Sequence, residues 1–110
     1  MINRAAVIVR PKKPFIEWAL DIDDSGVAPD IGGEKTVYLI PEYGDDFEAM
    51  EVLSQGYEII FEQELNGWHM DESAWPKKRT FSMFREWFEI EMHSFLLDIT
   101  DEPLIDDEIT

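Results

Sequence analysis

Apolar and polar residues change rhythm several times along this chain, and each rhythm predicts an element. Between Arg4 and Arg10 lie five consecutive apolar residues, Ala5-Ala6-Val7-Ile8-Val9, stopped by Pro11. A short run that is apolar on both faces reads as a strand covered on both sides or paired on both edges, central in its sheet. Pro14 fits the first turn of a helix, where its missing N–H costs nothing, and Phe15, Ile16, Trp18, Ala19, Leu20 and Ile22 form a short buried face. Asp23-Asp24-Ser25-Gly26 ends that helix, and turn residues continue to Gly33. Thr36-Val37-Tyr38-Leu39-Ile40, closed by Pro41, is a second strand. Two strands joined by a helix make a βαβ unit, with a right-handed crossover if the strands are parallel.

The longest periodic segment follows. Asp45 or Asp46 caps a helix in which Phe47, Met50, Leu53, Tyr57, Ile60, Phe61, Leu65 and Trp68 recur at three- and four-residue steps and share one face. Glu48, Glu51, Gln55, Glu58 and Glu62 keep the same period on the opposite face, an acidic stripe about 21 Å long at 1.5 Å per residue. No Lys alternates with these acids, so the stripe repels itself. Gly56 costs the helix up to about 1 kcal/mol against Ala, an expense expected where something packs closely, and Asn66-Gly67 supplies the stop.

His69 to Arg79 is a loop containing Pro76, and Thr80 caps a third helix through Phe81, Phe84, Trp87 and Phe88. Continued helically, that segment would bury Glu91 among Phe84, Phe88 and Phe95. Read as a strand, Phe88-Glu89-Ile90-Glu91-Met92-His93 alternates cleanly, and Phe95, Leu97 and Ile99 resume the alternation after a shift near Ser94. The predicted fold is a single α+β domain over residues 1–103, in β-α-β-α-α-β order. A three-stranded mixed sheet packs against helices in two layers, followed by an acidic tail over 104–110.

Charge adds a second pattern. The 110 residues carry 25 acidic and 9 basic side chains, a formal net charge of −16. With 45% apolar and 13% aromatic residues the chain can nonetheless build a core, which sets it apart from disordered acidic sequences. The bases are grouped: Arg4, Arg10, Lys12 and Lys13 near the start, Lys77, Lys78, Arg79 and Arg85 later, and Lys35 alone. No Lys or Arg occurs between Thr36 and Pro76, where ten acids lie, nor after Arg85, where nine more follow. Direct binding to a phosphate backbone needs Lys and Arg to displace counterions, so nucleic acid is not an expected partner and a basic protein is. The blander reading is that the acids keep an aromatic-rich protein in solution. No apolar run is long enough to span a bilayer, and nothing near the N-terminus resembles a secretory signal, so a cytosolic location is expected.

Several motifs resemble a known group. Val37-Tyr38-Leu39-Ile40-Pro41-Glu42, Ile60-Phe61-Glu62-Gln63-Glu64-Leu65 with Gly67-Trp68, Trp75-Pro76 with Arg79, Trp87-Phe88, His93-Ser94 with Asp98, and Glu102-Pro103-Leu104 resemble a family of small acidic bacterial proteins of unknown function. The likeness covers nearly the whole chain. It implies a bacterial cytosolic protein and assigns no activity, cofactor or functional residue.

Candidate chemistry is sparse. Zero cysteines remove thiolate nucleophiles, disulfides and zinc–thiolate sites together. There is no Gly-x-Ser-x-Gly elbow, and Ser94 beside His93 on a strand points to the opposite face. Gly32-Gly33 has neither phosphate-loop spacing nor a following helix. Glu89, Glu91 and His93 share one strand face and are weak metal candidates, set against a solvated edge that discourages pairing. Glu64 falls among the apolar positions of the long helix, at the edge of the buried face or beside a base. Trp75, Lys77, Lys78 and Arg79 lead into a helix N-terminus, a place for an anion or a partner contact, with Arg10, Lys12 and Lys13 as further bases; alternatively Lys77, Lys78 and Arg79 pair with the surplus acids while Trp75-Pro76 packs over the edge of the core.

The leading expectation is a non-catalytic interaction or regulatory module without a cofactor. It would meet a basic protein partner through Glu48, Glu51, Glu58 and Glu62, or through the loop of Trp75, Lys77, Lys78 and Arg79. The rivals are a small-molecule or metal-binding protein or enzyme using residues 75–80 or the Glu89, Glu91, His93 face, and an inhibitor that mimics DNA phosphates. An uncovered sheet edge leaves self-association open.

Overall fold

A computed structural model describes residues 1–22, 26 and 33–106. The elements run β1 (Ala5–Pro11), α1 (Lys13–Ile22), β2 (Val37–Ile40), α2 (Asp46–Trp68), a 3-10 turn (Glu72–Ala74), α3 (Phe81–Trp87) and β3 (Phe88–His93). This is the expected α+β order, and β1 is central as its doubly apolar sequence implies, in the sheet order β2-β1-β3. The expected stop of α1 at Asp23-Asp24-Ser25 and the turn at Gly32 lie outside the described residues. Gly26 has φ 76°, the left-handed conformation that glycine adopts without strain.

One expectation about the sheet is corrected: it is antiparallel throughout, not mixed. Ala5 pairs with Ile40 and Ile8 with Val37 on one side of β1, while Ala6 pairs with His93 and Pro11 with Phe88 on the other. The connection between Pro11 and Val37 is long enough to bring the chain back in either direction, so α1 does not act as a crossover. Antiparallel pairing suits a sheet covered on one face only. Register then sorts the side chains by parity. Ala5, Val7 and Val9 face the core together with Tyr38 and Ile40 of β2 and Phe88, Ile90 and Met92 of β3. The other face carries Ala6, Ile8 and Arg10, Val37 and Leu39, and Glu89, Glu91 and His93.

The regular ladder stops at His93. Beyond it a single bond, the Ile2 N–H to the Leu96 carbonyl at 3.0 Å, continues the pairing. That bond is one residue out of step with the Ala6↔His93 register, and no ladder pairing accompanies it among the described residues. The predicted continuation of the strand through Phe95, Leu97 and Ile99 fails for want of a partner, and these side chains stand exposed.

Aromatic rings join the helices to the sheet. Phe61 of α2, Phe84 of α3 and Phe88 of β3 are fully buried, with centroids 5.2 to 5.8 Å apart. Phe15 of α1 reaches Phe88 at 5.4 Å and Trp87 at 6.2 Å, so one ring cluster touches all three helices. The indole N–H groups that this packing would orphan are satisfied by backbone carbonyls: Trp18 Nε1 donates to Ala74 of the 3-10 turn and Trp68 Nε1 to Ala19 of α1.

Asp45 caps α2 by accepting from the Glu48 N–H at 2.8 Å. Three expectations for this helix are corrected. Phe47 is 78% exposed, while Ala49 is the residue that this first turn buries. Asn66-Gly67 does not stop the helix, which runs on to Trp68 and is capped by the extended backbone of His69. Nothing packs against Gly56: a Cβ there would meet no atom within 4 Å. Gly56→Ala is therefore expected to stabilise the fold by up to about 1 kcal/mol through helix propensity. Phe61→Ala should lose about 3–5 kcal/mol. Urea unfolding midpoints measure both.

Candidate functional site

The loop after α2 is held by its own side chains. The Asp71 carboxylate accepts from the Ser73 hydroxyl at 2.7 Å and the Ser73 N–H at 3.0 Å, bonds that close the 3-10 turn and hold that carboxyl below its usual range. Trp75 is buried, 8% exposed, and its Nε1 donates to the His69 carbonyl at 2.8 Å. The Arg79 guanidinium lies 5.9 Å from the Trp75 ring centre, donates to the Pro76 carbonyl and pairs with Glu62 at 2.8 Å. Lys77 donates to the Ser73 carbonyl. Of the two readings of this loop the packing one describes Trp75, which belongs to the core, and of the three bases only Lys78 stands out with no bond of this kind among the described residues.

The helix terminus that this loop leads into is already used. Thr80 accepts from the Met83 N–H at 3.1 Å, and α3 has only seven residues. Lys12 does not gather there: its Nζ reaches the Arg85 carbonyl and its N–H the Trp87 carbonyl, both toward the C-terminal end of α3. Arg10 is committed to the sheet. The bases expected to converge on an anion are therefore spread over three places.

On the outer sheet face, Glu89, Glu91 and His93 do line up at alternate positions of β3. Glu91 accepts from Arg10 Nη1 at 2.8 Å and lies 2.6 Å from His93 Nε2. These hydrogen bonds, His93 first and then Arg10, keep the Glu91 carboxyl below its ordinary value. Arg10 also faces Glu89 in register. Its guanidinium provides the positive charge between the acids, and among the described residues no group of three or more metal-ligating side chains is placed to hold an ion.

The outward face of α2 is the largest run of charge left uncompensated. Glu48, Glu51 and Glu58 are exposed, and only Glu62 of the stripe is paired with a base. Two large apolar side chains stand beside them, Phe47 and, at 73% exposure, Ile59. Next to Ile59 an apolar groove of about 270 Å³ runs between α2 and β2, floored by Val52, Gly56 and Ile60 and walled by Tyr38, Ile40 and Pro41.

A polar pair tethers strand to helix on the same side. The Tyr38 hydroxyl donates to Glu64 at 2.5 Å. Burial pushes the Tyr38 hydroxyl pKa well up, and the neighbouring carboxylate adds to it, so the hydroxyl remains a donor. Burial also raises Glu64, more than the Tyr38 bond and the nearby Lys35 lower it. Glu64 sits, as expected, at the edge of the buried face; its hydrogen-bond partner is a tyrosine hydroxyl, with Lys35 acting only through its charge.

No protein-family model, curated protein or solved structure matches this chain. Within the chain itself, sequence reading missed Tyr38 as a partner of Glu64 and Arg10 as the partner of Glu91. The second follows from strand direction: once β1 and β3 are antiparallel, Arg10 must lie beside both acids.

Because the folded chain holds the Glu64 proton more tightly than the unfolded chain, this group adds stability as pH falls from the raised folded value toward the ordinary 4.5, and detracts from it above. Glu64→Gln keeps an acceptor for Tyr38 while removing the charge. It is expected to raise the urea midpoint at pH 7 and to have little effect below about pH 4. A lower midpoint at pH 7 would mean that the Tyr38 bond to the carboxylate outweighs the burial penalty.

Proposed function

We propose that this chain is a non-catalytic protein-interaction module that meets a basic protein partner through the outward face of α2. The observation that carries the reading is the combination on one helix face of the exposed acids Glu48, Glu51 and Glu58 with the exposed apolar residues Phe47 and Ile59. Charge of one sign steers an oppositely charged partner and selects it, while desolvated apolar anchors supply affinity. The second surface expected from the sequence, the loop of Trp75 and Arg79, is consumed by internal bonds, which favours the helix. The net charge of −16 extends the same attraction over the whole molecule. A bacterial cytosolic setting, implied by the motif resemblance, is part of the same proposal.

A quadruple Glu→Gln variant at 48, 51, 58 and 62 tests the reading. Basic proteins captured from lysate by the wild type at low salt are expected to be lost with the variant and to dissociate as salt is raised. The variant should remain folded: relief of the like-charge pairs at helical spacing, about 0.2–0.5 kcal/mol each, is offset by loss of the Glu62–Arg79 pair. Identical capture profiles for the two proteins would remove the stripe from the account.

A further inference from the structure

The helices do not cover the inner sheet face evenly. α3 ends at Trp87 after seven residues, and past the buried Phe88 the next inward side chains of β3, Ile90 and Met92, are only half-buried. Between this stretch and the start of α2 lies a cavity of about 580 Å³, within the roughly 300–1,000 Å³ of small-molecule sites. Its apolar walls are Met50 on α2 and Phe88, Ile90 and Met92 on β3. The four-residue step from Phe88 to Met92 gives it a length of about 13 Å at about 3.3 Å per residue.

The charge at this cavity is not that of the molecule. Lys12 and Arg85 line it at the Phe88 end, since Lys12 follows Pro11, the register partner of Phe88, and Arg85 lies one helical turn before Phe88. Among the described residues neither base has a carboxylate at ion-pair distance. Lys12 Nζ reaches the Arg85 carbonyl at 3.3 Å, and the Arg85 guanidinium lies 6.0 Å from the Phe81 ring centre. These contacts leave most N–H donors of both groups unused.

The acids nearby do not cancel this pair. Register turns Glu89 to the outer sheet face, opposite Arg10. Asp46 lines the other wall, in the first turn of α2, and Glu86 borders a separate hollow beyond Arg85. We infer that the cavity binds a small amphipathic carboxylate, its head between Lys12 and Arg85 and its apolar body along Met50, Ile90 and Met92. Charge complementarity selects the head and the half-buried walls select the body. None of Glu48, Glu51, Glu58 and Glu62 lines this site, so the inference is independent of the acidic-face reading.

The test uses decanoate, decanol and decyltrimethylammonium, which carry the same alkyl chain with anionic, neutral and cationic heads. Each is titrated below its micelle concentration into wild type, Lys12→Gln/Arg85→Gln, and Lys77→Gln/Lys78→Gln, the last removing the same charge elsewhere. Lys12 and Arg85 are exposed, and the first double variant keeps the backbone bond from residue 12 to the Trp87 carbonyl, so it should fold. Decanoate is expected to bind wild type about tenfold tighter than decyltrimethylammonium, against the pull of the net −16. It should lose about tenfold with Lys12→Gln/Arg85→Gln and keep its affinity with Lys77→Gln/Lys78→Gln. Decanol should bind all three proteins alike, and amide shifts should centre on 12, 50, 85 and 88–92.

Tighter binding of the cation, or an equal loss of decanoate affinity in both double variants, would overturn the head-group site. Absence of saturable decanoate binding, or shifts centred away from 50 and 88–92, would overturn the cavity. A wild-type dimer with its interface at 88–92 would assign the cavity to a second copy and overturn the small ligand.

Discussion

Phe61, Phe84 and Phe88 come from a helix, a second helix and a strand, and their rings meet at 5.2 to 5.8 Å with no exposure to solvent. Phe15 and Trp87 extend the cluster to α1. The remaining architecture depends on this contact. Few elements hold the domain together, and aromatic side chains bury the most apolar area per residue, so one ring cluster does what several aliphatic layers do in a larger core. It also explains why α3 passes directly into β3: Phe84 and Phe88 must both face inward, and the switch from helical to alternating spacing at Phe88 accomplishes that.

Covering one sheet face with rings leaves the other face and the two edges to be dealt with by surface chemistry. On the β3 side this is done with charge, through the Arg10–Glu91–His93 cluster. On the β2 side it is not done: Val37 and Leu39 remain exposed, and α2 stands back far enough to leave an apolar groove. The surplus acids gather on the outer face of that helix. The same helix thus secures the core with Leu53, Phe61 and Leu65, and places exposed carboxylates on its outward face. The core and the proposed recognition use different faces of one element, joined at Glu62, whose partner Arg79 lies over the Trp75 ring.

Element type and order were legible because the apolar spacing is unambiguous where it matters. The five-residue apolar run marked β1 as central, and the alternation of Phe88 to His93 separated β3 from a longer α3. Strand direction was not legible, since a long connection can return the chain either way and parity within a strand is the same in both cases. Phe47 illustrates another limit: helical spacing places a residue on a face, but burial also requires a neighbouring element to cover that position. Of the candidate site, the acidic stripe could be read directly. Trp75 could be read either as a partner contact or as packing over the edge of the core, because whether a loop Trp points inward depends on carbonyl acceptors such as that of His69, which only the folded loop supplies. The Tyr38–Glu64 pair joins residues 26 apart in sequence and has no local signature.

The asymmetry of the two sheet edges is the central claim, and residue-resolved amide hydrogen exchange under native conditions tests it most directly. Amides of β1, bonded on both sides, should exchange only through global unfolding, whereas those of β2 should alternate between protected groups that face β1 and fast-exchanging groups that face outward. Uniform protection of all four β2 amides at the level of β1 would contradict the account, because it would mean that the β2 edge is already covered.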